Sequence, residues 1–374
     1  MIKFRLFLVL FSCFFLFTSC TEHNQFEEFY TEPISFDVQK DEQIRAMWLT
    51  CYELSEMLGK GSQEYFSDKI SEVFELCQNK RINTVFIQVR PFFDALYLSE
   101  IFEWSEYAKS SSGKIPDFDP LEIIVDIAEN YGVSIHAWIN PYRVSYDSSA
   151  EIDQAIENCA FSCDEGVFLD PSSLEAQKMV LDGVREILEN YVIDGIHIDD
   201  YFYPQTNNNF DKTAYEAYID CGGKLSKDNW RRENVNSLVS ALYSLVHSVK
   251  PEGIFSISPA GDITKNKTSH YADVELWCTR NGYADWVIPQ IYYGFNHDKM
   301  PFEKIANKWK KLAEKGKVKL ICGLASYKQG QPDSGAGRGE NEWINDNDVI
   351  IRQTEYVISI GYDGYAYFSY SSVL

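Results

Sequence analysis

Residues 194–204 read DGIHIDDYFYP. A short run in which Ile196 and Ile198 alternate with Gly195 and His197 ends in two adjacent carboxylates, then closes with aromatics and a proline. Side chains at i and i+2 of a strand share a face. Ile196, Ile198 and, by parity, Asp200 therefore point one way; His197, Asp199 and Tyr201 point the other. The isoleucines suit a covering layer of helices, which puts His197 and Asp199 on the inner face. A strand that is apolar outside and acidic at its exit fits a parallel βα unit with a site at the strand's C-terminal end.

Outward from this stretch the same rhythm recurs. Runs at 44–52 (IRAMWLTCY), 83–90 (NTVFIQVR), 133–140 (VSIHAWIN), 254–260 (IFSISPA), 285–293 (DWVIPQIYY), 318–325 (VKLICGLA) and 364–370 (GYAYFSY) join 195–200 as strand candidates. Helical periodicity fills the gaps at 64–79, 120–131, 172–190, 230–249, 272–281, 302–315 and 346–360. In the first of these Phe66, Ile70, Val73, Phe74 and Cys77 share a face, and Asp119-Pro120 is a start signal for the second. Eight strands alternating with helices predict an α/β fold, a (β/α)8 TIM barrel over residues 43–374. An open doubly wound sheet is the alternative, disfavoured because no glycine-rich phosphate loop follows the first strand. No eighth helix follows the last strand, so another segment, such as residues 25–42, is expected to cover its outer face.

The 374-residue chain carries a formal net charge of −22. That balance repels phosphate backbones and argues against nucleic acid as a partner. The first twenty residues, MIKFRLFLVLFSCFFLFTSC, place Lys3 and Arg5 ahead of an apolar stretch at 6–17 and read as a targeting segment. Its end resembles a bacterial lipoprotein signal with Cys20 as the lipid-bearing residue, although Phe17, Thr18 and Ser19 depart from the usual small and leucine positions. A plain cleaved signal is the rival reading. Both put the mature protein outside the cytoplasm, and the first anchors it to a membrane of a bacterial envelope through Cys20. Residues 21–42 are polar and suit a tether. The seven later cysteines show no CxxC spacing and no nearby histidine, so no metal or cofactor is expected. Cys159 and Cys163 could close a local disulfide, but buried free thiols are expected for most. No protein partner is indicated.

Active sites of such barrels gather at the C-terminal strand ends. Strand two ends with Arg90, Asp94 and Tyr97; strand three with His136, Trp138, Asn140, Tyr142 and Arg143, followed by Asp170 in FLDPS. Strand four supplies His197, Asp199, Asp200 and Tyr201; strand five Ser258 and Asp262; strand six Gln290, Tyr292 and Tyr293. Amides, charged groups and aromatic faces on one rim suit a carbohydrate, whose hydroxyls hydrogen-bond and whose C–H faces stack on rings. Asp199 is the first-choice catalytic carboxylate. Each of the others also has a structural reading: Asp200 and Asp170 as turn residues, the histidines as satisfied lumen groups, the arginines as rim ion pairs, Trp138 as packing.

Several runs are similar to one known family, the glycosyl hydrolase-like "family 10" lipoproteins of bacteria. These are IRAMWLT, NTVFIQVRPFFDALYLSEIFEWSEY, FDPLEIIVDIAENYGVSIHAWINPYRV, FLDPSS, YVIDGIHIDDYFYP, FSISPAG and DWVIPQIYYGF, in that order from about residue 44 to 325. The resemblance implies a glycosidase-type barrel, and one branch of the family looks like a hydrolase of peptidoglycan strands stripped of their peptides. In α-amylase-like barrels a strand-four G-x-R-x-D pattern carries the nucleophile. Gly195, His197 and Asp199 fall on that spacing, with histidine in place of arginine. The chitinase-like DxxDxDxE pattern fails here, because Tyr201 stands where its acid would be. Glycoside hydrolysis needs a second carboxyl group as well. Asp94 and Asp200 lead the candidates for it, ahead of Asp262, with Asp170 and Glu275 also considered. Expected substrate contacts come from Arg90, His136, Trp138, Asn140, Tyr142, Arg143, Asp170, His197, Tyr201, Gln290 and Tyr292. Hydrolysis of another polysaccharide and non-catalytic glycan binding are the competing functions.

Overall fold

The computed structural model describes residues 43–200, 202–204 and 209–373. The leader, Cys20, the tether and the expected cover from residues 25–42 lie outside these residues, as does Tyr201. Eight parallel strands close into a barrel: β1 (Ile44–Leu49), β2 (Thr84–Arg90), β3 (Ser134–Ile139), β7 (Gly195–Ile198), β8 (Ile254–Ile257), β9 (Trp286–Val287), β10 (Lys319–Leu324) and β11 (Gly364–Tyr367). Each matches a strand expected from sequence. Strands β4 (Arg143–Ser145), β5 (Ala160–Cys163) and β6 (Gly166–Leu169) form a separate antiparallel sheet inside the crossover from β3 to β7.

Alternation builds two cores. Outward residues such as Met47, Leu49, Val85, Ile87, Ile135, Ile196, Ile198 and Phe255 join the helix layer in one large apolar cluster. Inward residues form a second cluster, with Trp48, Phe86, Trp138, Trp286 and Ile321 filling the lumen. At Gly195 the lumen has no room for a side chain: a Cβ there would lie 2.8 Å from His136 Nδ1.

Several elements differ from the sequence expectation, the following among them. The first strand stops at Leu49, because Thr50 and Glu53 form a reciprocal capping box that starts the helix Cys51–Leu58. The sixth strand shrinks to Trp286–Val287, since Pro289 has no N–H to extend the ladder, and only single bridges at Gln290 continue it. The sheet β4–β6–β5 is new. Its strands are three or four residues long, too short for alternation to register. All seven cysteines of the described residues are free thiols, Cys159 and Cys163 included, and only Cys221 among them is exposed.

Candidate active site

A cleft of about 500 Å³ opens at the C-terminal end of the barrel. Its apolar floor is Trp48, Trp138 and Phe368, contributed by β1, β3 and the end of β11. The Phe368 ring centroid lies 5.8 Å from that of Trp48 and 6.5 Å from that of Trp138. Asp199 and Asp200, at the exit of β7, both line this cleft. Asp199 is buried, and its Oδ2 accepts a hydrogen bond from Trp138 Nε1 at 3.1 Å. Because β7 ends at Ile198, Asp200 is released from strand parity and turns to the rim instead of the helix layer.

Asp200 is half-buried. Burial pushes its pKa above the usual carboxylate range, opposed by a hydrogen bond from Gln290 and by the charges of Lys265 and Arg143. Gln290 is itself fixed by donating Nε2 to Ser258 O at 3.0 Å. A second lobe of about 440 Å³ continues past Asp200 and shares Asp200, Arg143 and Tyr146 with the first. Arg143 stacks on the Tyr146 ring at 4.3 Å and donates to its hydroxyl at 2.7 Å. The short sheet thus delivers Arg143, Tyr146, Glu165 and Phe168 to the cleft.

Of the other residues singled out from sequence, Tyr292 lines the main lobe. Arg90 does not reach it. A register shift between Gln88 and Arg90 breaks the alternation that would have put both inside. Arg90 is buried outside the barrel with its guanidinium 4.2 Å above the Phe102 ring. Gly183, on the helix Leu174–Asn190, leaves the room, since a Cβ there would lie 2.7 Å from Arg90 Nη1. Asp94 is half-buried in the loop after β2, where it accepts from Phe92 N at 3.2 Å; burial raises its pKa, but it lines neither lobe.

His136 and His197 lie below the cleft, fully buried in the lumen. His197 Nε2 accepts from Trp48 Nε1 at 3.1 Å, so its Nδ1 carries the hydrogen and donates to Ser256 Oγ at 2.8 Å. Its ring stacks on Phe86 at 4.3 Å. Burial drives both histidines toward the neutral form, His136 to a pKa of about 3. Neither lines either lobe of the cleft. Asn140 shapes the next loop by accepting from Arg143 N at 3.1 Å, and Tyr142 is fully buried in the outer core. Asp170 is a turn residue, accepting from Ser172 N and Oγ at 2.8 and 2.7 Å. Asp262 caps the helix Ile263–Thr268, and Glu275 pairs with Lys267 on the surface.

Sequence reasoning missed the wall from the barrel's seam. Thr50, Tyr52, Glu53 and Glu56 after β1, with Ser369 and Ser371 after β11, line the main lobe. Glu53 accepts from Thr50 N and Oγ1 with one oxygen and from Ser369 Oγ and Ser371 N with the other. The first and last βα units are thereby tied together. The signal was present as Thr50-x-x-Glu53, a capping-box pattern that read as the tail of a strand.

The profile of the family Glycosyl hydrolase-like 10 matches residues 43–344. Glycosyl hydrolase DigH of Escherichia coli (strain K12) is 30% identical over 314 residues, spanning 75% of this chain and 69% of that protein. Glycosyl hydrolase YngK of Bacillus subtilis (strain 168) is 30% identical over 327 residues, spanning 79% of this chain and 63% of that protein. Among solved structures, the PgaB (BpsB) glycoside hydrolase domain from Bordetella bronchiseptica superposes with a TM-score of 0.59 at 11% identity, over 87% of this chain and 94% of that one. The endo-1,4-beta-mannanase from Rhizomucor miehei does so with a TM-score of 0.54 at 10% identity, over 87% and 86%. At such identities the two structures speak for the barrel alone.

Proposed function

The chain belongs to the glycosyl hydrolase-like 10 family and glycoside hydrolysis is its class of chemistry; from that premise we propose that it cleaves an envelope glycan, peptidoglycan-type amino-sugar strands without peptides, with Asp199 and Asp200 as its carboxyl pair. The reading rests on one observation: both acids, adjacent at the exit of β7, line a cleft floored by aromatic rings. Asp200, whose raised pKa keeps its proton to higher pH, is the general acid that protonates the departing glycosidic oxygen. Asp199, oriented by Trp138, is the other carboxyl group of the pair and serves the anomeric carbon, which ends bonded to the hydroxyl of water. Trp48, Trp138 and Phe368 offer flat faces to sugar C–H groups. The leader read from sequence supports work outside the cytoplasm with Cys20 as lipid anchor; a Cys20→Ser protein that still partitions into detergent would remove the anchor.

The test is to incubate the mature protein with peptide-free peptidoglycan strands and, separately, with neutral polysaccharides, and to follow new reducing ends. Release from the amino-sugar strands supports the reading. Release from a neutral polysaccharide alone would move the substrate to that class.

A further inference from the structure

The two lobes that meet at Asp200 differ in charge. Beyond Asp200, the second lobe is lined by Arg143, Lys265, His270 and Glu165. Lys265 is exposed on the short helix Ile263–Thr268 and makes no ion pair among the described residues. Its charge acts on both Asp200 and His270. His270 is buried, and its pKa is pushed down to about 4, so at neutral pH it adds polarity without charge. On the near side of Asp200, the main lobe carries Glu53 and Glu56, and its one cation is the shared Arg143. In a chain of net charge −22, the second lobe sets Arg143 and Lys265 against Glu165 and Asp200, whereas the main lobe sets Arg143 alone against Glu53, Glu56, Asp199 and Asp200, so the second lobe is much the less acidic of the two.

We propose that the Arg143–Lys265 lobe is a subsite for a sugar bearing a free carboxylate, and that the Glu53–Glu56 lobe takes its uncharged neighbour. An alternating strand is then held in one register, with one of its two kinds of linkage lying at Asp199 and Asp200. This rests on the glycan-strand reading of the cleft and adds to it the residues that choose the register. A guanidinium and an ammonium can share a carboxylate through charge-assisted hydrogen bonds. In the shifted register the carboxylate would face Glu56, and like-charge juxtaposition costs enough to exclude it.

The test uses the full mature protein carrying Asp199→Asn, so that strands bind without being cut. Calorimetry compares a peptide-free oligosaccharide of alternating N-acetylglucosamine and N-acetylmuramic acid with the same oligosaccharide after its carboxylates are reduced to alcohols. The carboxylate form is expected to bind about tenfold more tightly, and adding Lys265→Gln to shrink that preference to about twofold or less. Equal binding of the two forms, binding of neither, or a preference that survives Lys265→Gln overturns the subsite. With the unsubstituted protein, cleavage products should all expose one kind of sugar at the new reducing end, and a mixture overturns the single register. If the binding preference holds while the unsubstituted protein cuts neither oligosaccharide, the carboxylate subsite stands and the hydrolase reading falls.

Discussion

His197 and Asp199 are two residues apart on the inner face of one strand, yet the lumen treats them differently. His197 lies in a fully buried layer where Trp48 donates to one ring nitrogen, Ser256 accepts from the other and Phe86 covers the face. Burial holds it neutral. Asp199, a single step nearer the mouth, has an indole N–H on one oxygen and an open cleft beside it. Two kinds of polar residue share a parity, and depth along the barrel axis decides which of them lines the cleft. In the lower layer both ring nitrogens of His197 are satisfied from within the lumen, by Trp48 and Ser256. The upper layer is polar so that something else can be held.

Substitutions at the two depths should therefore fail in different ways. Asp199→Asn keeps the fold, accepts nothing as an anion, and should lose on the order of 10³-fold or more in kcat with little change in thermal midpoint; an active Asp199→Asn protein would move the chemistry elsewhere. Asp200→Asn should lose about 10²–10⁴-fold, the usual range for removing a general acid. It should also be more stable than the unsubstituted protein at high pH. Burial raises the folded pKa of Asp200, so the stability it contributes is present at low pH and is lost as pH rises through that pKa; asparagine has no such loss. Activity and stability moving in opposite directions is what a residue of the upper layer should show.

The lower layer should respond in stability. Ser256→Ala leaves His197 Nδ1 without its acceptor in a buried site and should cost about 1–3 kcal/mol in denaturant unfolding. An effect on activity with no change in stability would break the distinction between layers. The smallest effect is a pH dependence. The folded pKa of His136 is near 3 and that of His197 is also depressed, so the unfolded chain binds more protons below about pH 6.5. Stability from these rings is complete above that pH and declines as pH falls. A His136→Gln protein should show a shallower decline in thermal midpoint between pH 7 and pH 4.

Much of this arrangement was legible in the chain. All eight barrel strands could be read from alternation, because a covered parallel strand must be apolar outside, as Ile196 and Ile198 are. The acid pair could be located because β7 ends in it. What could not be read were departures from regular geometry. Arg90 leaves the lumen through a shift in register that no residue type announces. Asp200 faces the cleft because its strand has already ended, which parity alone would deny. The wall of Glu53, Glu56 and Ser369 arises where the first and last units meet, a contact across more than 300 residues that local pattern does not encode. That the two histidines lie below the cleft could not be read, because sequence gives parity but not depth.

The division of labour between the adjacent acids is tested most directly by the pH profile of kcat/KM on peptide-free glycan strands, for the unsubstituted protein and for Asp200→Asn. With Asp200 as the protonated partner, the unsubstituted protein should lose activity as pH rises through its elevated pKa, and the residual activity of Asp200→Asn should lack that alkaline limb. An unchanged alkaline limb in Asp200→Asn would contradict the assignment and place the acid on another side chain.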